Sequence, residues 1–184
     1  MTILDLATGS ADIPINVVRW ARQQGRSVDI IASDFSADIL AIATRRVAAY
    51  PNIHVLQCDA REVPFPDASF DIVLCSLALH HFPPPDAVRM LAEMDRLSRV
   101  GFIVNDLARS RPGYLGAWFV GRLATRNRIT RHDAPLSALR AYTPDELRKL
   151  LGLAGVTNAD VRSSLWFRMS ATRIHRIPRP RRTQ

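Results

Sequence analysis

Four stretches of the chain put residues capable of chemistry at the ends of apolar runs. The first, Ile3-Leu-Asp-Leu-Ala-Thr-Gly-Ser-Ala-Asp-Ile-Pro14, carries Asp5 within the run and then small residues at Ala7, Gly9 and Ala11. A side chain at any of these three would hold a ligand off the backbone, so the spacing suits a turn whose N–H groups meet something flat and polar. Asp5 can accept from that ligand's donors or tie the turn down. The second run ends at Asp34, followed by Phe35, and the third at the pair Asp59-Ala60. The fourth reads Phe70-Asp-Ile-Val-Leu-Cys-Ser-Leu-Ala-Leu-His-His-Phe82. An ionised carboxylate only accepts hydrogen bonds, so Asp34 and Asp59 suit a ligand rich in donors. His80 and His81 are the side chains placed to take or give a proton near neutral pH, with His132 a further candidate downstream.

These residues act together only if the apolar runs are neighbouring strands of one sheet. Ile3 to Ala7 predicts a first strand, and Ile13, Val17 and Ala21 predict one face of a helix that ends at Gly25. Ile30 to Asp34 is the next strand, and Ser36 is placed to cap a helix with Leu40, Ala43, Val47 and Tyr50 on its apolar stripe, stopped by Pro51. A third strand, Ile53 to Gln57, precedes the loop Pro64-Phe-Pro-Asp67, and Phe70 to Leu77 is apolar throughout, as a strand covered on both faces must be. Pro83-Pro-Pro85 delays the following helix until Asp86, after which Ala87, Met90, Leu91, Met94 and Leu97 form an amphipathic repeat. A fifth strand, Gly101 to Asp106, again ends in polar residues. Strands alternating with helices predict an α/β fold: a Rossmann-like, doubly wound, mostly parallel sheet with its ligand crevice along the carboxyl ends. Beyond it, Leu107 to Ala141 is expected to form a cap carrying Tyr114, Trp118 and Phe119, which could wall a ring-shaped substrate. Thr143-Pro-Asp-Glu146 has capping-box spacing, a helix then runs to near Gly155, and Val156 to Arg162 and Leu165 to Ile174 are expected to pair as closing strands.

In that order, the four stretches resemble the class I S-adenosylmethionine-dependent methyltransferases, in particular the small-molecule branch with quinone and polyketide methyltransferases. The resemblance covers Ile3 to Asp106 and is looser beyond. The family's turn is Asp/Glu-x-Gly-x-Gly-x-Gly. Here only the central Gly9 is kept, while Ala7 and Ala11 stand at the flanking positions, tolerable where φ is negative but adding methyl groups expected to weaken cofactor binding. The resemblance implies an enzyme that uses S-adenosyl-L-methionine, without a metal, to methylate a small organic acceptor at a hydroxyl or a carbon. It implies that Asp34 accepts from two ribose hydroxyls, that Asp59 and the Ala60 N–H meet the adenine edge, that Phe35 flanks the base, and that Asp5, Ala7, Gly9, Ser76 and Leu77 border the rest of the cofactor. It also implies an antiparallel hairpin closing the sheet. Family members carry helices before the first strand that close over the cofactor, whereas this chain starts two residues ahead of it. The expectation is a truncated start or an open site, covered by a homodimer, a partner or the 107–141 cap.

The chain has 184 residues and a net charge of +8, but Arg173, Arg176, Arg179, Arg181 and Arg182 crowd the last twelve residues and their removal leaves +3. That distribution argues against a nucleic-acid surface and for a solvated, disordered basic tail over 175–184, with one domain over 1–174. Lys149 is the only lysine, a bias expected of a GC-rich bacterial genome. With neither a long apolar run nor a leader pattern, the expected location is the cytoplasm, with no membrane partner. Cys58 and Cys75 are too far apart in sequence for a metal pair and read as small core residues. Two other readings compete. A nicotinamide-dependent oxidoreductase would use Asp34 similarly but needs Gly-x-Gly-x-x-Gly, and a non-catalytic relative would keep the sheet while losing the flanking glycines.

Overall fold

Leu4, Leu6 and Val73 are fully buried, so the strands that carry them, β1 (Thr2–Leu6) and β4 (Phe70–Ser76), form the middle of a sheet with both faces covered. The computed structural model describes residues 1–110, 139–164 and 167–175. Around that centre lie β2 (Asp29–Asp34), β3 (Ile53–Gln57), β5 (Ser98–Leu107), β6 (Asp160–Ser164) and β7 (Arg168–Ile174), in the order β3-β2-β1-β4-β5-β7-β6. The first five strands are parallel, and β7 runs antiparallel to both β5 and β6. The chain reverses direction across the sheet between β1 and β4, the place where open α/β sheets leave a crevice at their carboxyl ends. The expected doubly wound sheet and antiparallel hairpin are therefore both present. The later strand of the hairpin, β7, pairs with β5, and β6 forms the edge.

Helices α1 (Asp12–Gln23) and α2 (Ala37–Val47) pack on one face, burying Ile15, Val18, Ala21, Leu40, Ala43 and Val47 against Ile3 and Ile30. Helices α3 (Pro84–Leu97) and α4 (Pro144–Leu153) pack on the other, where Met90, Leu91, Met94 and Leu147 meet Leu4, Leu6 and Phe102. The α1 stripe differs from the expected one. Pro14, Ile15, Val18 and Ala21 are buried while Ile13 is 37% exposed, because the stripe that meets the sheet is centred on Ile15 and Val18.

The prolines before α3 also behave differently from expectation. Pro84 and Pro85 occupy its first turn, where an N–H has no helical partner to lose and the ring's fixed φ suits the helix. Thr143 accepts from the Glu146 N–H at 3.2 Å and Glu146 accepts from the Thr143 N–H at 2.8 Å, completing the expected capping box of α4. Strand β5 starts at Ser98, directly after α3, and β6 begins at Asp160, four residues after the expected Val156. Arg173 lies within β7, 3.4 Å from Asp95, and the His175 N–H donates to Val100 O at 2.8 Å, so both belong to the sheet and not to a tail. The remainder of that tail and nearly all of the expected cap, including Tyr114, Trp118, Phe119 and His132, lie outside the described residues. Among the described residues, no helix is long and apolar enough to cross a membrane.

Candidate functional site

The carboxyl ends of β1 to β4 surround a crevice of about 530 Å³, a size suited to a small-molecule ligand. Its walls include Ala7, Gly9, Asp34, Phe35, Ala60 and Leu77, six of the residues expected at a cofactor site. The turn after β1 is built from left-handed backbone at alternate positions: Ala7 at φ 54°, Gly9 at 58° and Ala11 at 62°. Glycine takes this conformation freely, whereas an L side chain adds about 1–2 kcal/mol of steric cost at each position. Neither alanine therefore has the negative φ at which its methyl group would be tolerated without strain. The turn keeps the shape that glycines would give it, and the alanines bear the strain.

Two carboxylates hold the turn in place. Asp34 Oδ2 accepts from the Gly9 N–H at 2.9 Å and its Oδ1 accepts from the Ser36 N–H at 3.0 Å, which leaves further lone pairs on both oxygens facing the crevice. Asp5 is only 2% exposed and lies behind the turn, accepting from the Thr8 hydroxyl at 2.6 Å. Of its two expected roles it fills the second, tying the loop down. Burial, reinforced by the nearby Asp34 charge and opposed by Thr8, pushes the Asp5 carboxyl up to about 7. Phe35 is 72% exposed on the crevice wall, an apolar face for a flat ring. Ser76 does not line the crevice, and its hydroxyl accepts from the Asn105 amide at 3.3 Å.

Asp59 departs from the expected picture. Its Oδ1 accepts from Arg61 Nε at 2.9 Å and its Oδ2 from the same guanidinium's terminal nitrogen at 2.6 Å, while Arg61 also reaches Asp86 at 2.9 Å. Those guanidinium bonds hold the Asp59 carboxyl below its usual range, and an adenine amine would have to share it. Arg61 is a crevice residue that no spacing in the sequence pointed to. Cys58 lines the crevice too, with burial raising its thiol, and buried Cys75 is raised well above the ordinary thiol range by burial and by the charges of Asp106 and Asp5. Neither thiol is poised as a nucleophile.

The adjacent histidines part company on the short 3-10 helix Leu79–His81. His81 is exposed and lines the crevice, whereas His80 is 6% exposed and points its Nδ1 at Asp106 Oδ1, 2.7 Å away. Asp106, fully buried at the end of β5, also accepts from the His80 N–H at 2.8 Å and the Leu107 N–H at 2.7 Å. A carboxylate on Nδ1 fixes the tautomer with its proton there and leaves Nε2 as the acceptor. The two imidazole rings lie 4.0 Å apart between centroids. His80 lines a second cavity of about 410 Å³ that adjoins the first and shares His81, Phe82 and Pro83 with it. Asp106 was legible only as one more polar residue at a strand's carboxyl end.

A single crevice thus offers a small-residue turn, a diol-ready carboxylate and an exposed ring, beside a cavity floored by a buried His–Asp pair. The set fits an adenosyl group: lone pairs at Asp34 for two hydroxyls, Phe35 for a base and the open turn at Gly9 for a chain. Compared with known proteins, residues 3–101 match the methyltransferase domain family. The demethylmenaquinone methyltransferase of Staphylococcus carnosus is 32% identical over 172 residues, which take in 87% of this chain and 69% of that enzyme. The enzyme of the same description from Lysinibacillus sphaericus is 35% identical over 114 residues, 60% of this chain and 47% of that protein. Among solved structures, a SAM-dependent methyltransferase from Aquifex aeolicus superimposes with a TM-score of 0.65 at 16% identity, covering 94% of this chain and 80% of that one.

Proposed function

Since the chain belongs to the methyltransferase domain family and is an S-adenosylmethionine-dependent enzyme, we propose that it methylates a small aromatic or enolic acceptor, of the quinone or polyketide kind, seated in the cavity beside the cofactor crevice. The observation that carries this reading is the buried His80–Asp106 pair, whose histidine lines the second cavity. The bound cofactor supplies an electrophilic methyl group on a sulfonium, and the protein's part is to align an acceptor with it and to manage the acceptor's proton. Asp34 and the Gly9 turn hold the adenosyl end, and Phe35 and Leu77 cover its apolar surfaces.

His80 is placed to take the proton of an acceptor hydroxyl or acidic C–H on Nε2, and the methyl group that the cofactor would supply would take that proton's place on the acceptor as its carbon–sulfur bond breaks and the neutral thioether leaves. Asp106 stabilises the resulting imidazolium through the Nδ1–H bond and keeps the ring from turning. His81, the other of the two adjacent candidates, lies with its ring tilted beside that of His80 and lines both cavities. The mouth of the crevice is also where a homodimer or partner would have to provide cover.

Replacing His80 by Gln tests the assignment, because it keeps a polar group of similar reach and removes the base. Turnover with any accepted phenol should fall by about 10²–10³-fold while S-adenosylhomocysteine affinity stays unchanged. Undiminished turnover in the folded variant would remove His80 from the chemistry.

A further inference from the structure

Among the described residues, the second cavity carries a positive charge without a partner. Arg109 and Arg140 both line it. Arg109 is paired with Glu146, whose carboxylate also holds the first turn of α4, and the Tyr142 hydroxyl donates to Phe82 O at 2.6 Å. Those groups are occupied in holding the wall together. Arg140 makes no hydrogen bond or ion pair among the described residues, so its five N–H donors remain available.

Its backbone, in contrast, is well anchored. Ala141 and Tyr142, which follow it, are buried, the Arg109 N–H donates to Tyr142 O at 3.0 Å, and the capping box begins at Thr143. A guanidinium on a fixed backbone, in a cavity that Phe82 and His81 also line, matches a planar anion attached to a ring. Glu146, the acidic residue lining the cavity, is taken by Arg109, and Asp106 lies buried behind His80 with three N–H donors of its own.

We propose that the acceptor carries a carboxylate and that Arg140 is the specificity residue that binds it, turning the ring so that its reactive oxygen or carbon faces His80. The proposal rests on the reading of this cavity as the acceptor site, and it adds a requirement for an acidic group that a neutral quinol lacks. Two naphthalene compounds differing only in that group are the probes: 1-hydroxy-2-naphthoate and 1-naphthol. Each is titrated calorimetrically at constant ionic strength into the full chain, with and without S-adenosylhomocysteine, for the wild type, Arg140→Gln and Arg140→Lys.

The expected result is at least tenfold tighter binding of the naphthoate than of the naphthol. Arg140→Gln should abolish that difference without changing naphthol or S-adenosylhomocysteine affinity, and Arg140→Lys, which keeps the charge but not the fork, should keep part of it. Equal affinities, no binding of either compound, a preference that survives Arg140→Gln, or displacement of the naphthoate by equimolar inorganic phosphate would each overturn the proposal. Failure of S-adenosylhomocysteine to bind in its own titration would count against the cofactor reading instead, and the naphthoate preference would then be read from the arm without it.

Discussion

At the scale of single residues, burial and a neighbouring charge act strongly on Asp5. It sits behind the turn, beside Asp34, with the Thr8 hydroxyl as its partner, and its carboxyl titrates at about 7 against an ordinary value of 3.8. A raised acid means that the folded state keeps a proton the unfolded chain has already lost. The contribution of Asp5 to stability is therefore full below about pH 4 and falls as pH rises towards 7, by up to about 4 kcal/mol. Asp12, Asp59, Asp71, Glu93 and Glu146 are all held below their usual range by arginine or backbone partners, so their contributions are lost in acid, in a lower pH window. The wild type's urea midpoint should therefore fall between about pH 4 and 7, and Asp5→Asn should flatten that fall. A variant whose midpoint declines as steeply as the wild type would show that Asp5 is not the titrating group. None of this was visible in the sequence, which gave Asp5 two roles and no burial. Asp34 was legible because a carboxylate ending a strand has few other uses in this fold, and Arg61 was not, because nothing local distinguishes it from other surface arginines.

At the scale of elements, what the sequence revealed followed from periodicity, and what it concealed followed from geometry between elements. The spacing of Ala87, Met90, Leu91, Met94 and Leu97 identified α3, yet the prolines that precede it mark its first turn because the missing N–H costs nothing there. The turn after β1 was recognisable from Gly9 alone, but the left-handed φ of Ala7 and Ala11 is imposed by the path between β1 and α1 and leaves no trace in composition. A second glycine matters for the opposite reason. Gly101 of β5 faces Ile174 of β7, and a Cβ there would lie 2.0 Å from the Arg173 carbonyl oxygen, a backbone atom that cannot move aside. Gly101→Ala should cost about 3 kcal/mol, through overpacking against a strand paired on both edges, and should lower the melting temperature measurably. An unchanged melt would mean that β7 does not lie against β5 as described.

At the scale of the whole molecule, the sheet supplies a scaffold on which β1, β2 and β4 present the cofactor groups while β4 and β5 present His80 and Asp106. The alternation of strands and helices made this division of labour foreseeable up to β5. The insertion of β7 between β5 and β6 was not, since two short strands read equally well in either order. The central claim is that the crevice at the carboxyl ends is built for S-adenosylmethionine, with Asp34 both fixing the Gly9 turn and accepting the ribose hydroxyls. Calorimetric titration of the wild type and Asp34→Ala with S-adenosylhomocysteine and with NAD addresses it most directly. Selective binding of S-adenosylhomocysteine by the wild type is expected, weakened in a folded Asp34→Ala variant by about 3 kcal/mol, on the order of a hundredfold, as charge-assisted hydrogen bonds are lost. Equal affinity for the two ligands, or S-adenosylhomocysteine binding that Asp34→Ala leaves untouched, would contradict it.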